Sequence, residues 1–160
     1  MRIGQGFDAH QLKEGIPLII GGVSIPFSKG SKGHSDGDVL YHAMVDAMLG
    51  SLALGDIGGH FPSENNKWKN ADSNEFVSYS LSLIREKGYF IVNLDATIIL
   101  QMPKINAFIP QMRSNIAEIL EMEIACISVK ATTTDEMGFT GQGKGLAAQV
   151  VLLIQRINDY

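Results

Sequence analysis

Asp8 and His10 stand two residues apart near the end of Ile3 to His10, a segment that reads as a β-strand. Side chains at i and i+2 of a strand leave the same face, so a carboxylate oxygen and an imidazole nitrogen could share one metal ion there. Taken alone, a D-x-H pair is more often a surface pair or a hydrogen-bonded histidine than a metal site. His42 lies in a segment of helical pattern with Asp38 and Asp46 four residues to either side, so all three project from one face. A carboxylate beside a ligating imidazole fixes its tautomer and raises its basicity, which makes Asp38 and Asp46 the candidates to support His42. A polar stripe that happens to contain a histidine has the same spacing. If His42 meets Asp8 and His10, three ligands leave one tetrahedral position open, as a catalytic zinc centre requires.

His34 and Ser35 precede that helix. Free N–H groups at a helix start, with an imidazole and a hydroxyl beside them, suit phosphate oxygens, although Ser35 alone is better explained as a cap. Asp56 sits in the turn-rich run Ala53 to Pro62, where an aspartate commonly satisfies backbone groups. His60 in the same run suggests no role. Lys130-Ala131-Thr132-Thr133-Thr134-Asp135 follows a strand and opens a glycine-rich loop, so hydroxyls, amides and one carboxylate could meet a metal-bound diphosphate. Neither G-x-x-x-x-G-K-[ST] nor G-x-G-x-x-G occurs, which argues against an ATPase or a dinucleotide enzyme.

The elements that must position these residues follow from periodicity and punctuation. Leu18 to Ile20, Gly21-Gly22 and Val23 to Ile25 read as strand, turn and strand, and Lys29 to Gly33 as a loop. Ser35 with Asp38 resembles a capping box opening a helix over roughly positions 36 to 49, closed at Gly50. Asp72 with Glu75 opens a second helix that Lys87-Gly88 ends. Tyr89 to Leu100 reads as a strand, and Ile105 to Met122 as a helix in which Pro110 forces a kink or a late start. Ile124 to Ala131 and Leu146 to Ile157 read as strands around the loop Thr132 to Lys144. The order β-β-β-α-α-β-α-β-β implies one α/β domain over residues 1–160, with a mixed β-sheet carrying helices on one face and offering the other to a partner subunit.

Composition bounds the function. A net charge of -4, with no Lys/Arg cluster longer than two residues, argues against nucleic acid and anionic membrane as partners. An anionic substrate must then be held by local groups. Cys126 is the only cysteine, in the apolar run Ile124 to Ile127, and reads as a buried thiol in a reducing compartment. The N-terminal residues lack the pattern of a signal peptide and no apolar run approaches membrane-spanning length, so a cytoplasmic location is expected.

Together, G-x-G-x-D-x-H at Gly4 to His10, H-S-D-G-D-V at His34 to Val39 with His42 downstream, A-L-G-D-I-G at Ala53 to Gly58, and K-A-T-T-T-D with G-F-T-G between Lys130 and Gly141 resemble the 2-C-methyl-D-erythritol 2,4-cyclodiphosphate synthase family nearly end to end. The resemblance implies a lyase of non-mevalonate isoprenoid precursor synthesis. Asp8, His10 and His42 would bind Zn²⁺ or another divalent transition metal, and His34 and Thr133 would stabilise the transition state. Asp8, His10, His34, Ser35, Asp56, Ile57, Gly58 and Phe61 would contact the phosphate and erythritol part. Leu100, Pro103, Lys104, Ile105 and Asn106 of a neighbouring subunit would enclose cytosine and approach phosphate. Ala131, Thr132, Thr133, Thr134, Asp135 and Phe139 would surround the diphosphate, with Asp135 on Mg²⁺ or Mn²⁺. The resemblance also implies a homotrimer with active sites between subunits and a cytidine diphosphate substrate.

Three departures stand out against the family pattern. Asp135 replaces a usual glutamate, shortening the arm toward magnesium. Ser63, Glu64 and Asn65 replace a more aspartate-rich loop. Gln142 and Gln149 replace the arginine and glutamate that line the trimer axis in some members, so an isoprenoid diphosphate is not expected to bind tightly there. Two rival readings keep the same residues: a metal-dependent phosphohydrolase that activates water, and a noncatalytic trimeric nucleotide-binding module.

Overall fold

The computed structural model of the chain describes residues 1–68 and 71–157. Strands β1 (Arg2–Glu14), β2 (Leu18–Ile20), β3 (Val23–Ile25) and β4 (Lys29–Lys32) lead into helices α1 (Val39–Ser51), α2 (Ile57–His60) and α3 (Ser73–Glu86). Then follow β5 (Tyr89–Ile99), α4 (Ile109–Leu120), β6 (Ile127–Thr132), the short α5 (Gly138–Gly141) and β7 (Gly145–Arg156). The main sheet runs β4-β1-β7-β5-β6, with β5 and β6 parallel and every other neighbouring pair antiparallel; β2 and β3 form a separate hairpin. This is the mixed α/β architecture expected from the element order.

The pleat assigns the two faces. Gly4, Leu152, Leu94 and Ile127 lie in one row across the sheet, and Gly6, Val150, Ala96 and Val129 in the next; all are buried, with α1 on β1 and β7, α3 on β5 and α4 on β6. The alternate positions form the open face, where Ile3 is 71%, Phe7 54% and Val151 41% exposed.

Four local expectations are corrected. Lys29–Lys32 is a strand rather than a loop, because β1 continues past His10 and pairs Gln11 with Lys32 through Glu14 with Lys29. The first helix starts at Val39, since Asp38 rather than Ser35 is its N-cap and accepts from the N–H groups of Leu40 and Tyr41. Ile124–Cys126 is a 3₁₀ turn ahead of β6, which leaves Cys126 half-buried. Residues 132–144 are interrupted by α5. Pro110 stands in the first turn of α4, where its missing N–H removes no helical bond, so the proline delays the helix without kinking it.

Candidate metal centre and substrate clefts

Gly4, Gly6, Asp8 and His10 alternate along β1 and share the helix-facing side. A Cβ on Gly4 would lie 1.9 Å from the Ala47 carbonyl oxygen, and one on Gly6 2.0 Å from that of Ala43. The backbone of α1 therefore rests on β1 with no side chain between them, a close approach only glycine permits. His42 precedes Ala43 and is carried down beside the two residues that follow the glycines.

Three ligand atoms meet there. Asp8 Oδ2 lies 2.8 Å from His10 Nε2 and 3.0 Å from His42 Nδ1, and the two ring nitrogens are 3.3 Å apart. His10 Nδ1 is 2.7 Å from Ser31 Oγ and 3.1 Å from the Gly37 carbonyl, which can only accept, so Nδ1 carries the proton and Nε2 turns a lone pair inward when the ring is neutral. A carboxylate and an imidazole lone pair facing one point suit a divalent cation. Asp8, His10 and His42 thus form a candidate metal-binding triad.

Without a cation a proton takes its place. Burial alone would lower the His10 pKa, but the hydrogen bond and charge of Asp8 prevail and raise it. Burial would raise Asp8, yet the imidazoles of His10 and His42 against it hold its carboxyl well below the usual carboxylate range.

Asp38 and Asp46 have other partners. Asp38 is fully buried, capping α1 and accepting from the Gly22 N–H at 2.8 Å; burial pushes its carboxyl up to about 6 against the pull of those amides. Asp46 accepts from the Ile57 N–H at 2.7 Å and so ties α2 to α1. Neither carboxylate hydrogen-bonds the His42 ring, whose Nε2 instead faces Ser35 Oγ at 2.9 Å and Ser73 Oγ at 3.1 Å. Ser31 and Ser73 carried no signal in the sequence.

The triad opens into a cleft of about 270 Å³ that also contains His34, Ser35, Ile57, Gly58, Phe61 and Ser63, with Trp68 and Phe76 as further walls. Phe61 packs at 4.4 Å from Phe76 and 5.1 Å from Trp68, centroid to centroid, giving the cleft one dry aromatic side. Asp56 caps α2 through the Gly59 N–H and does not line this cleft. His60 bonds the Leu54 carbonyl at 3.0 Å, a structural use.

A second cleft, of about 260 Å³, lies at the ends of β5 and β6 among Leu100, Gln101, Pro103, Lys104, Ile105, Asn106, Ala131, Thr132 and Thr133. Thr134 turns its hydroxyl to the Met137 carbonyl and to Thr140. Asp135 is exposed with φ 48°, a left-handed conformation aspartate tolerates better than most residues, and accepts from Thr133 Oγ1 at 3.3 Å. Phe139 lines neither cleft and borders a separate depression with Ala9, His10, Gln11 and Lys144.

Asp8, Ala148, Ile98 and Ala131 lie in one row across β1, β7, β5 and β6. Three strand spacings of about 4.8 Å put the two ends of the row roughly 14 Å apart. Fully buried Ala148 and Ile98 lie between them.

A profile of the YgbB family matches residues 1–155. The chain belongs to the YgbB family. A Geobacillus kaustophilus relative named 2-C-methyl-D-erythritol 2,4-cyclodiphosphate synthase is 56% identical over 97% of this chain and 98% of its own length. A Bacillus subtilis relative of the same name is 52% identical over 97% and 98%. Among solved structures, the Plasmodium falciparum IspF CDP complex superposes with TM-score 0.87 at 37% identity, covering 98% of this chain and 97% of that one. The bifunctional IspDF of Campylobacter jejuni reaches TM-score 0.94 at 41% identity over 98% of this chain, which spans 42% of that protein. Among the described residues of this YgbB member, no helix is long and apolar enough to cross a membrane.

Proposed function

We propose that the chain is a 2-C-methyl-D-erythritol 2,4-cyclodiphosphate synthase, converting 4-diphosphocytidyl-2-C-methyl-D-erythritol 2-phosphate into the cyclic diphosphate and CMP in the cytoplasm, with residues 1–160 as one synthase domain. The observation that carries this reading is the convergence of Asp8, His10 and His42 at the floor of a cleft in a YgbB-family chain.

An oxygen of the 2-phosphate bonds to the β-phosphorus while the bond from that phosphorus to the bridging oxygen breaks, and CMP leaves with that oxygen. A phosphate monoester has its second pKa near about 6, so the nucleophile is ionised without a strong base. Repulsion between anions and the entropy of ring closure are the obstacles. Asp8, His10 and His42 would hold Zn²⁺ or another divalent transition metal, and Asp135 would hold Mg²⁺ or Mn²⁺ for the diphosphate. Bound cations supply positive charge and an open position for a phosphoryl oxygen. His34 and Thr133 donate to the charge that develops in the transition state, and Ser35 holds the 2-phosphate. Ile57 and Gly58, with Asp56 behind them, and Phe61 orient the erythritol. Leu100, Pro103, Lys104, Ile105 and Asn106 grip cytidine, while Ala131, Thr132, Thr134 and Phe139 complete the diphosphate enclosure. Clamping both ends turns ring closure into positioning, where effective molarities reach order 10⁵ M or more.

The reacting phosphates must touch, whereas the two clefts of one chain stand roughly 14 Å apart with buried core between them. A site assembled from the metal cleft of one copy and the threonine cleft of the next removes that gap. The apolar open face around Ile3, Phe7 and Val151 supports a homotrimer in which that face is covered.

³¹P NMR of the substrate incubated with protein, zinc and magnesium tests the function. Equal amounts of cyclic diphosphate and CMP are expected. Open-chain phosphates would favour a phosphohydrolase, and zero turnover with normal CMP binding a noncatalytic module.

A further inference from the structure

The imidazole of His42 can serve a cation through Nδ1 only if its proton stays on Nε2, and the residues behind it determine where that proton sits. Ser73 is fully buried at the start of α3, and its Oγ makes a short hydrogen bond to Asp36 Oδ1. Asp36 also accepts from the backbone N–H groups of Ser73 and Asp38, each at 3.1 Å, so its oxygens are engaged as acceptors. An ionised carboxylate accepts only, and a serine hydroxyl has one hydrogen. That hydrogen is committed to Asp36.

Ser73 Oγ then meets His42 Nε2, 3.1 Å away, with a lone pair, and that contact is a hydrogen bond only if Nε2 is the donor. The second hydroxyl at Nε2, Ser35 Oγ, accepts from the Gly37 N–H and lies 3.2 Å from Ser73 Oγ, so it has an acceptor for its own hydrogen in Ser73 and need not point at the ring.

We propose that Asp36 and Ser73 are positioning residues: a carboxylate–hydroxyl relay that holds the His42 proton on Nε2 and keeps the Nδ1 lone pair aimed between Asp8 and His10. The arrangement mirrors the Gly37 carbonyl behind His10, which does the same for that ring from the opposite nitrogen. The relay also latches residues 36–38 to the start of α3, and the Asp36 N–H adds a bond to the Ala71 carbonyl just ahead of that helix at 3.1 Å. The loop that carries Ser35 is thus fixed to the same support as the ligand.

Asp36→Asn is isosteric but uncharged, with one acceptor oxygen for the three donors that Asp36 serves, so its hold on the serine hydrogen weakens and that hydrogen can turn to His42 and drive the ring proton to Nδ1. Ser73→Ala deletes the acceptor. Each variant is expected to weaken zinc affinity about ten- to hundredfold by competition with a chelating dye, the range for partners of metal ligands. In zinc-free protein at pH 8.5 carrying Asp8→Ala, which removes the carboxylate acceptor 3.0 Å from Nδ1, long-range ¹H–¹⁵N spectra should show the His42 proton on Nε2 and its movement toward Nδ1 when Asp36→Asn is added. Because Asp36 acts through Ser73, adding Asp36→Asn to Ser73→Ala should reduce zinc affinity little further.

Unchanged zinc affinity in Asp36→Asn, ring-nitrogen shifts that Asp36→Asn leaves unmoved in the Asp8→Ala background, fully additive losses in the Asp36→Asn, Ser73→Ala double variant, or an Nδ1 proton in zinc-free Asp8→Ala would each overturn the proposal. Should Ser73→Ala fail to fold, the spectra and affinity of Asp36→Asn decide alone. The inference rests on the metal centre of the proposed function, but its readouts need no substrate. A chain that binds zinc through His42 yet forms no cyclic product would overturn the synthase reading and leave the relay standing.

Discussion

Gly6 and the carbonyl oxygen of Ala43 are so close that a Cβ on the glycine would lie 2.0 Å from that oxygen. This contact, repeated between Gly4 and Ala47, sets the height of α1 above β1. It explains why the glycines precede Asp8 and His10 on the same face of the strand: they bring the histidine of the neighbouring helix within reach.

Gly6→Ala should therefore affect stability and metal binding together. The obstacle is backbone, so α1 must move as a body and carry His42 with it. Overpacking of this kind costs about 1–3 kcal/mol, or a fall in Tm of roughly 2–12 °C for a chain of this size. Scanning calorimetry and zinc titration of the same sample check it. Loss of Tm with unchanged zinc affinity would show that His42 does not depend on this contact.

His42→Ala should abolish stoichiometric zinc binding and nearly all turnover, since Asp8 and His10 alone leave the cation two ligands. Metal analysis after dialysis, alongside a CMP-release assay, gives both numbers. Retained zinc and retained activity would contradict the assignment of the triad.

The raised pKa of His10 gives metal binding and metal-free stability opposite dependences on pH, while the depressed pKa of Asp8 acts only in acid. In the metal-free protein, the His10 contribution is complete below its ordinary 6.5 and lost as pH rises through the raised value. The Asp8 contribution is present above 3.8 and lost as pH falls through its lowered pKa. Zinc needs the His10 lone pair and must displace its proton. The rise in Tm on adding zinc should accordingly be small at pH 5.5 and larger at pH 8, with proton release detected by titration in buffers of different ionisation enthalpy. A zinc effect that shrinks with rising pH would count against the site.

Mixing experiments test the division of the site between copies. Asp8→Ala damages the metal cleft and Thr133→Ala the other, so each variant alone should be nearly inactive. Unfolding and refolding the two together should restore a substantial fraction of activity, because some boundaries then pair two intact clefts. No recovery, with mixed oligomers demonstrated by mass spectrometry, would place the whole site within one chain.

Much of the fold was legible because its signals are local. Asp72 caps α3, Gly21-Gly22 turns the hairpin, and the apolar run from Val150 to Ile154 is a strand. The strand Lys29–Lys32 was not, since a lysine-glycine-serine-lysine run has no strand preference and is ordered only by pairing with β1. The triad was legible in residue type but not in proximity. The residues behind it were misread because Asp38 and Asp46 have helical spacing to His42 while amides nearer at hand capture both carboxylates. Ser73, which with Ser35 does reach the ring, lies 31 positions away on another helix and announces itself by nothing local.

The most direct measurement is anomalous diffraction at the zinc edge from crystals grown with zinc. One peak per chain is expected at about 2.0–2.2 Å from Asp8 Oδ2, His10 Nε2 and His42 Nδ1. An ion seated elsewhere, or a triad that stays empty at saturating zinc, would contradict the metal centre on which the proposed chemistry depends.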